Sequence, residues 1–201
     1  MTACLQKQPG TRILGRWLAA SLVLCGATSF SSAQGLSAEL DATAASIESK
    51  VIEWRRDFHA HPELSNRETR TAGIVAEHLR SLGLEVRTGI AHTGVAALLR
   101  GAKPGPTIAL RADMDALPVT EQTDVPFKST VTTEFRGERV GVMHACGHDA
   151  HMAILMGVAD VLARNKNGLS GQVLFIFQPA EEGAPEGERG GARLMLEEGL
   201  F

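Results

Sequence analysis

Short apolar runs of strand character alternate with helical stretches along this chain, and that alternation narrows the fold more than any other feature. Residues 84–90, 94–99, 107–111 and 171–177 read as strands bounded by glycine and proline. Residues 36–61 read as a helix ended by Pro62, and Ser65-x-x-Glu68 is a capping-box pattern opening a second helix that stops at Gly83. Its apolar stripe holds Ile74, Val75, Leu79 and Leu82, so His78 within it is expected at the core or its boundary. Residues 149–165 and 190–199 supply two more helices, while 118–141 reads as an irregular loop with a short strand near 139–143. Strands alternating with helices imply an α/β fold, a layered sheet with flanking helices.

The first 33 residues read differently. Lys7, Arg12 and Arg16 precede an apolar segment of about fourteen residues, short of the roughly 20 that span a bilayer, and Ser31-Ser-Ala33 fits a cleavage site. We therefore expect a signal peptide over 1–33, a secreted or periplasmic protein, and no stable membrane span after processing. Cleavage would remove those three basic residues and no acidic one, taking the formal charge from -3 to -6 and making nucleic acid an unsuited partner. It would also remove Cys4 and Cys25, leaving Cys146 without a disulfide mate. Metal ligation is one reason for such a thiol, and a buried inert cysteine is the other.

Chemistry concentrates in three motifs, each expected after a strand. Arg111-Ala-Asp-Met-Asp-Ala-Leu-Pro118, His144-Ala-Cys-Gly-His-Asp-Ala-His151 and the Glu181-Glu182 doublet could converge on one crevice, since open α/β sheets bind ligands at the carboxyl ends of their strands. Alone, Asp113 and Asp115 could be turn or capping residues, and the doublet a solvated loop. The Cys146-Gly-His148 unit is more specific, because Gly147 lets the backbone turn tightly between two ligand side chains. Thiolate, imidazole and carboxylate together suit zinc, manganese or cobalt. Of two adjacent glutamates, one can bind metal while the other takes a proton from the activated water, as metal-assisted amide hydrolysis requires.

These motifs, with Phe58-His-Ala-His-Pro-Glu-Leu-Ser65 and Phe177-Gln-Pro-Ala-Glu-Glu-Gly183, resemble the signature blocks of the aminoacylase/carboxypeptidase metallohydrolases. The branch they are most similar to includes hippurate hydrolase and indole-acetyl-amino-acid hydrolase. The resemblance implies a zinc-exopeptidase-like catalytic domain with two divalent ions, Mn2+ or Zn2+ with Co2+ a further candidate. It implies Cys146 bridging the ions, His148 and Glu182 as further ligands, Glu181 as general base, and Asp115 orienting the site from behind. It also implies two more histidine ligands and an inserted dimerisation domain outside these residues. Residues 34–201 are then expected to be the N-terminal part of a catalytic domain, inactive alone, from a parent that forms a homodimer or larger assembly. His144 and His151 match no ligand position of the family. His59 and His61 are expected to pack at a helix end, and His92 to be solvated.

The function implied is metal-dependent hydrolysis of small N-acyl amino acids. Two other readings stay open: a thiol hydrolase with Cys146 as nucleophile and His144 or His148 as its base, and a binding homologue without turnover, against which Glu181 argues.

Overall fold

The computed structural model describes the backbone of residues 26–201 and side-chain surroundings from residue 38 onward. The chain divides into two units after Glu39, the second being Leu40–Phe201. Of the first, only the opening turns of helix α1 (Gly26–Ala60) fall within the described residues, and the sheet and the other helices belong to the second. The side chains of the expected leader over 1–33 lie outside the described residues, and α1 begins upstream of the expected start at residue 36. Among the described residues, no helix is long and apolar enough to cross a membrane.

A four-stranded mixed sheet carries the second unit, in the order β1 (Glu85–Ile90), β2 (Gly94–Arg100), β6 (Ser170–Gln178), β3 (Lys103–Asp113). β6 runs antiparallel to β2, pairing Phe177 with Val95, and parallel to β3, pairing Gln178 with Asp113. Parallel neighbours need a long crossover, and helix α3 (His148–Arg164) lies within the one that joins β3 to β6. β6 is apolar from Val173 to Phe177, where both faces are covered. Phe175 and Phe177 pack with Phe58 of α1, Leu79 of α2 (Thr69–Ser81) and Met152 and Met156 of α3. On the opposite face, Ile176 meets Leu194 and Met195 of α4 (Gly191–Glu197). His78 lies at the core boundary as expected, its ring 4.5 Å from that of Trp54 and its Nε2 3.3 Å from the Met156 carbonyl.

Three local expectations need correction. The Ser65/Glu68 pattern does not form a capping box: neither side chain caps α2, because Ser65 donates to Asp115 and Glu68 turns toward residue 180. Glu63 does the capping instead, its carboxylate accepting the amides of Arg70 (3.0 Å) and Thr71 (2.8 Å), two donors a helix start leaves unpaired. Within 118–141 there are two strands, β4 (Thr132–Phe135) and β5 (Glu138–Gly141), forming a hairpin. Its turn residues Arg136 and Gly137 both have positive φ, as a two-residue hairpin turn requires, but arginine in the first position masks the usual Asn-Gly signal. The 144–151 segment follows this hairpin rather than a strand of the main sheet. It is tied to the segment that follows β3 through a bridge in which Leu117 and Met143 exchange both backbone hydrogen bonds at 3.0 Å.

Gly171 enters β6 with φ +84, and a Cβ there would lie 2.1 Å from the Pro106 carbonyl oxygen. Gly171→Ala is expected to lower the unfolding free energy by roughly 2–4 kcal/mol, through left-handed backbone strain and a backbone clash with no room to relax. Urea unfolding followed by circular dichroism checks this; a loss below half a kcal/mol contradicts it.

Candidate metal centre

The parallel ladder sets the site. Because Asp113 ends β3 opposite Gln178 at the end of β6, the segments leaving these strands emerge side by side, one carrying Asp115 and the other Glu181 and Glu182. The third contribution is the first turn of α3. Gly147 precedes it with φ +85, a conformation that costs an L side chain about 1–2 kcal/mol, and no atom lies within 4 Å of where a Cβ would stand. The glycine is therefore needed for backbone geometry, to swing His148 inward while leaving Cys146 exposed.

His148 is the hub. Its Nδ1 donates to the Asp115 carbonyl at 2.7 Å and lies 3.4 Å from Asp115 Oδ1. That hydrogen bond turns Nε2 toward three carboxylates: Asp113 Oδ2 at 3.5 Å, Glu181 Oε2 at 3.6 Å and Glu182 Oε1 at 3.8 Å. An imidazole whose far nitrogen is held by a carbonyl and carboxylate is the arrangement typical of metal-ligating histidine. Asp115 is buried, and its Oδ2 accepts the Ser65 hydroxyl (2.7 Å) and the Glu182 amide (3.0 Å), so one aspartate braces His148 through its carbonyl and the glutamate loop through its carboxylate.

Two groups of potential ligand atoms share His148, each with its atoms within 4.8 Å of one another: His148 with Glu181 and Glu182, and His148 with Asp113 and His151. The second group goes beyond the sequence reading, which gives Asp113 and His151 no ligand role. Its signal is present all the same: His151 lies three residues after His148, hence on the same helix face, and Asp113 lies two before Asp115 on an extended segment. His151 Nδ1 is 3.4 Å from Asp113 Oδ2. Cys146 stands beside Glu182 but belongs to neither group. Its exposure rules out the buried inert thiol.

Electrostatics follow from the crowd of acids. Burial works against a charged His148, but hydrogen bonds to Asp115 and the charges of Asp113 and Asp115 outweigh it and push its pKa up to about 9. Burial likewise opposes a charged Asp115, yet hydrogen bonds from His148, Ser65 and the Glu182 and Glu181 amides hold its carboxyl below the usual range. Pairing with Glu182, with burial and the charges of Glu181 and Asp115, raises the Cys146 pKa, the opposite of what a thiol nucleophile needs. Four carboxylates, one thiol and two imidazoles thus supply an excess of anionic oxygen around one buried nitrogen. This donor set fits a divalent cation of borderline softness.

The remaining histidines separate. His59 is buried between Asp149 Oδ2 (2.8 Å) and Glu121 Oε1 (3.0 Å), tying the end of α1 to α3 and to the 118–131 loop. His61 and His92 are exposed, bonded to the carbonyls of Asp57 and Arg189. Beside the site, a cleft of about 770 Å3 runs from Glu182 and Pro185 past Leu64 and Leu117 to Phe135 of the hairpin.

Comparison with known proteins agrees with this geometry. Residues 109–201 match the model of peptidase family M20/M25/M40. The chain is 52% identical over 156 residues to thermostable carboxypeptidase 1 of Saccharolobus solfataricus, covering 77% of this chain and 37% of that protein. It is 43% identical over 155 residues to an N-acyl-L-amino acid amidohydrolase of Geobacillus stearothermophilus, covering 77% and 39%. Among solved structures it resembles the Bacillus subtilis YXEP protein, described as a dinuclear metal binding peptidase, with a TM-score of 0.67 and 43% identity over 78% of this chain and 40% of that one. The chain thus spans about two fifths of the length of these relatives.

His144 generates a prediction about acid stability. It is buried, neither ring nitrogen has a hydrogen-bond partner, and burial pushes its pKa down to about 4. Between pH 4 and 6.5 the unfolded chain binds this proton and the folded one does not, so His144 favours folding above pH 6.5 and that contribution is lost as pH falls toward 4. The loss amounts to about 3 kcal/mol at most. Urea unfolding at pH 7.5 and pH 5 should show a smaller difference for His144→Phe than for the parent; equal differences contradict this.

Proposed function

The chain belongs to peptidase family M20/M25/M40, and from that membership we propose that its protein is a metal-dependent amidohydrolase cleaving N-acyl amino acids to a carboxylic acid and an amino acid. The observation that carries the proposal is the approach of Glu181 and Glu182 to His148 Nε2, at 3.6 and 3.8 Å, with both sides braced by Asp115. The substrate class is supported by relatives that include an N-acyl-L-amino acid amidohydrolase and an N-acetyl-L-cysteine deacetylase.

In this reading His148, Glu182 and Cys146 would hold two divalent ions, with Asp113 and His151 close enough to contribute. When bound, such ions acidify water and polarise an amide carbonyl. Glu181, on an exposed loop facing the same nitrogen, accepts the proton from water and delivers it to the leaving amine. Asp115 never meets the substrate; it fixes the ring of His148 through its carbonyl and the backbone of Glu182 through its carboxylate. The cleft that opens beside Glu182 gives an acylated substrate room to lie against Leu117 and Phe135. An exported location belongs to the proposal and rests on the leader-like residues 1–33.

The thiol-hydrolase alternative is disfavoured by the acids around Cys146 and by the weakness of the bases available: His148 is engaged by Asp115, and burial lowers the His144 pKa to about 4, too weak a base to take a thiol proton.

In the whole protein, chelation should abolish turnover and manganese or zinc restore it. Glu181→Gln should lower kcat by about 10²- to 10⁴-fold while metal content is unchanged. Undiminished turnover of that variant would remove Glu181 as base, and activity that survives chelation but not iodoacetamide would return Cys146 as nucleophile.

A further inference from the structure

Glu68 has no exposed surface, and it is an acid the chemistry above does not use. Burying a carboxylate is costly unless its oxygens are met, and both are: Oε1 accepts the Ala180 amide at 2.9 Å, and Oε2 accepts the Thr93 hydroxyl at 2.5 Å. Burial raises its pKa all the same. Helix capping does not explain its presence, since Glu63 already takes the α2 amides.

What Glu68 holds is informative. Ala180 immediately precedes Glu181 and is buried with φ +48, a left-handed conformation that an alanine does not keep without support. On the other side of Glu181, the Glu182 amide is taken by Asp115. The two amides that flank Glu181 are thus tied to two buried carboxylates, one at the start of α2 and one beyond β3. The residues before Glu68 grip the far end of the same loop: Asn66 donates to the Arg189 carbonyl at 2.9 Å, and Arg67 pairs with Glu188.

We infer that Glu68 is a positioning residue, which through the Ala180 amide sets the left-handed turn that aims Glu181 and Glu182 at His148. This rests on the reading of that doublet as proton acceptor and metal ligand. It also specifies the chemistry position 68 requires: a hydrogen-bond acceptor on a side chain of glutamate length. Glutamine in its place keeps such an acceptor, whereas methionine fills similar space without one.

The test compares the whole parent protein with its Glu68→Gln and Glu68→Met variants by amide hydrogen exchange and by manganese titration. In the parent, the Ala180 amide should exchange slowly despite lying in a loop beside an exposed residue; rapid exchange there overturns the inference whatever the variants do. In Glu68→Met, exchange at Ala180 should rise by about tenfold or more while Leu79 and Phe175 stay protected, and in Glu68→Gln it should remain near the parent value. Manganese affinity should fall by about tenfold in Glu68→Met and be largely kept in Glu68→Gln. A folded Glu68→Met with unchanged Ala180 exchange overturns the inference, as does a Glu68→Gln that loosens Ala180 while its core stays protected. If Glu68→Met does not fold, the parent and Glu68→Gln decide. A parent that takes up no manganese counts against the metal reading, and amide exchange then judges the clamp alone.

Discussion

The parallel pairing of β3 with β6 is the constraint on which the rest depends. Its register sets Asp113 opposite Gln178, so the acids of one segment emerge beside those of the other without any long-range adjustment of loops. The sheet can hold that register because β6 is packed on both faces, Phe175 and Phe177 on one side and Ile176 on the other. A one-residue slip would exchange those faces and move every acid to the wrong side. Rigidity of the core and placement of the candidate centre are one property of the fold.

Charge organises the next layer. Among the described residues, Asp113, Asp115, Glu181 and Glu182 gather around a single imidazole, and Asp115 takes hydrogen bonds from a hydroxyl and a backbone amide as well. Such a gathering would repel itself in a purely structural role. It becomes favourable when positive charge lies at its focus, which is why the elevated pKa of His148 and the fit of this donor set to a divalent cation have the same origin.

Much of this is legible in the residues because it is local. Strand and helix periods locate β1, β2, β6 and α3 to within a few residues, and Cys146-Gly-His148 announces the turn that swings His148 inward. The differences arise where a tertiary contact outbids a local one. Ser65 and Glu68 have the spacing of a capping pair, but the hydroxyl of one meets a buried aspartate and the carboxylate of the other a loop amide 112 positions away. Of the hairpin, β5 lies near the short strand expected at 139–143, but β4 is hidden because Thr132-Thr-Glu-Phe135 carries no apolar alternation. Asp113 and His151 match no ligand position of the family pattern, and the spacing that sets them beside Asp115 and His148 gains meaning only when the fold turns those faces together.

The displacement of helix capping onto Glu63 reaches beyond the site itself. Position 68 lies where engineers seeking heat resistance commonly substitute, since the residues around a helix start are ordinarily surface decoration that can be upgraded without harm. In this protein Asn66, Arg67 and Glu68 double as scaffolding for the loop from Ala180 to Arg189, and Ser65 supports Asp115. Stabilising edits there would harden α2 at the expense of what it supports, so the safer place to strengthen that helix is its outward surface near Glu77 and Arg80, away from the shared corner.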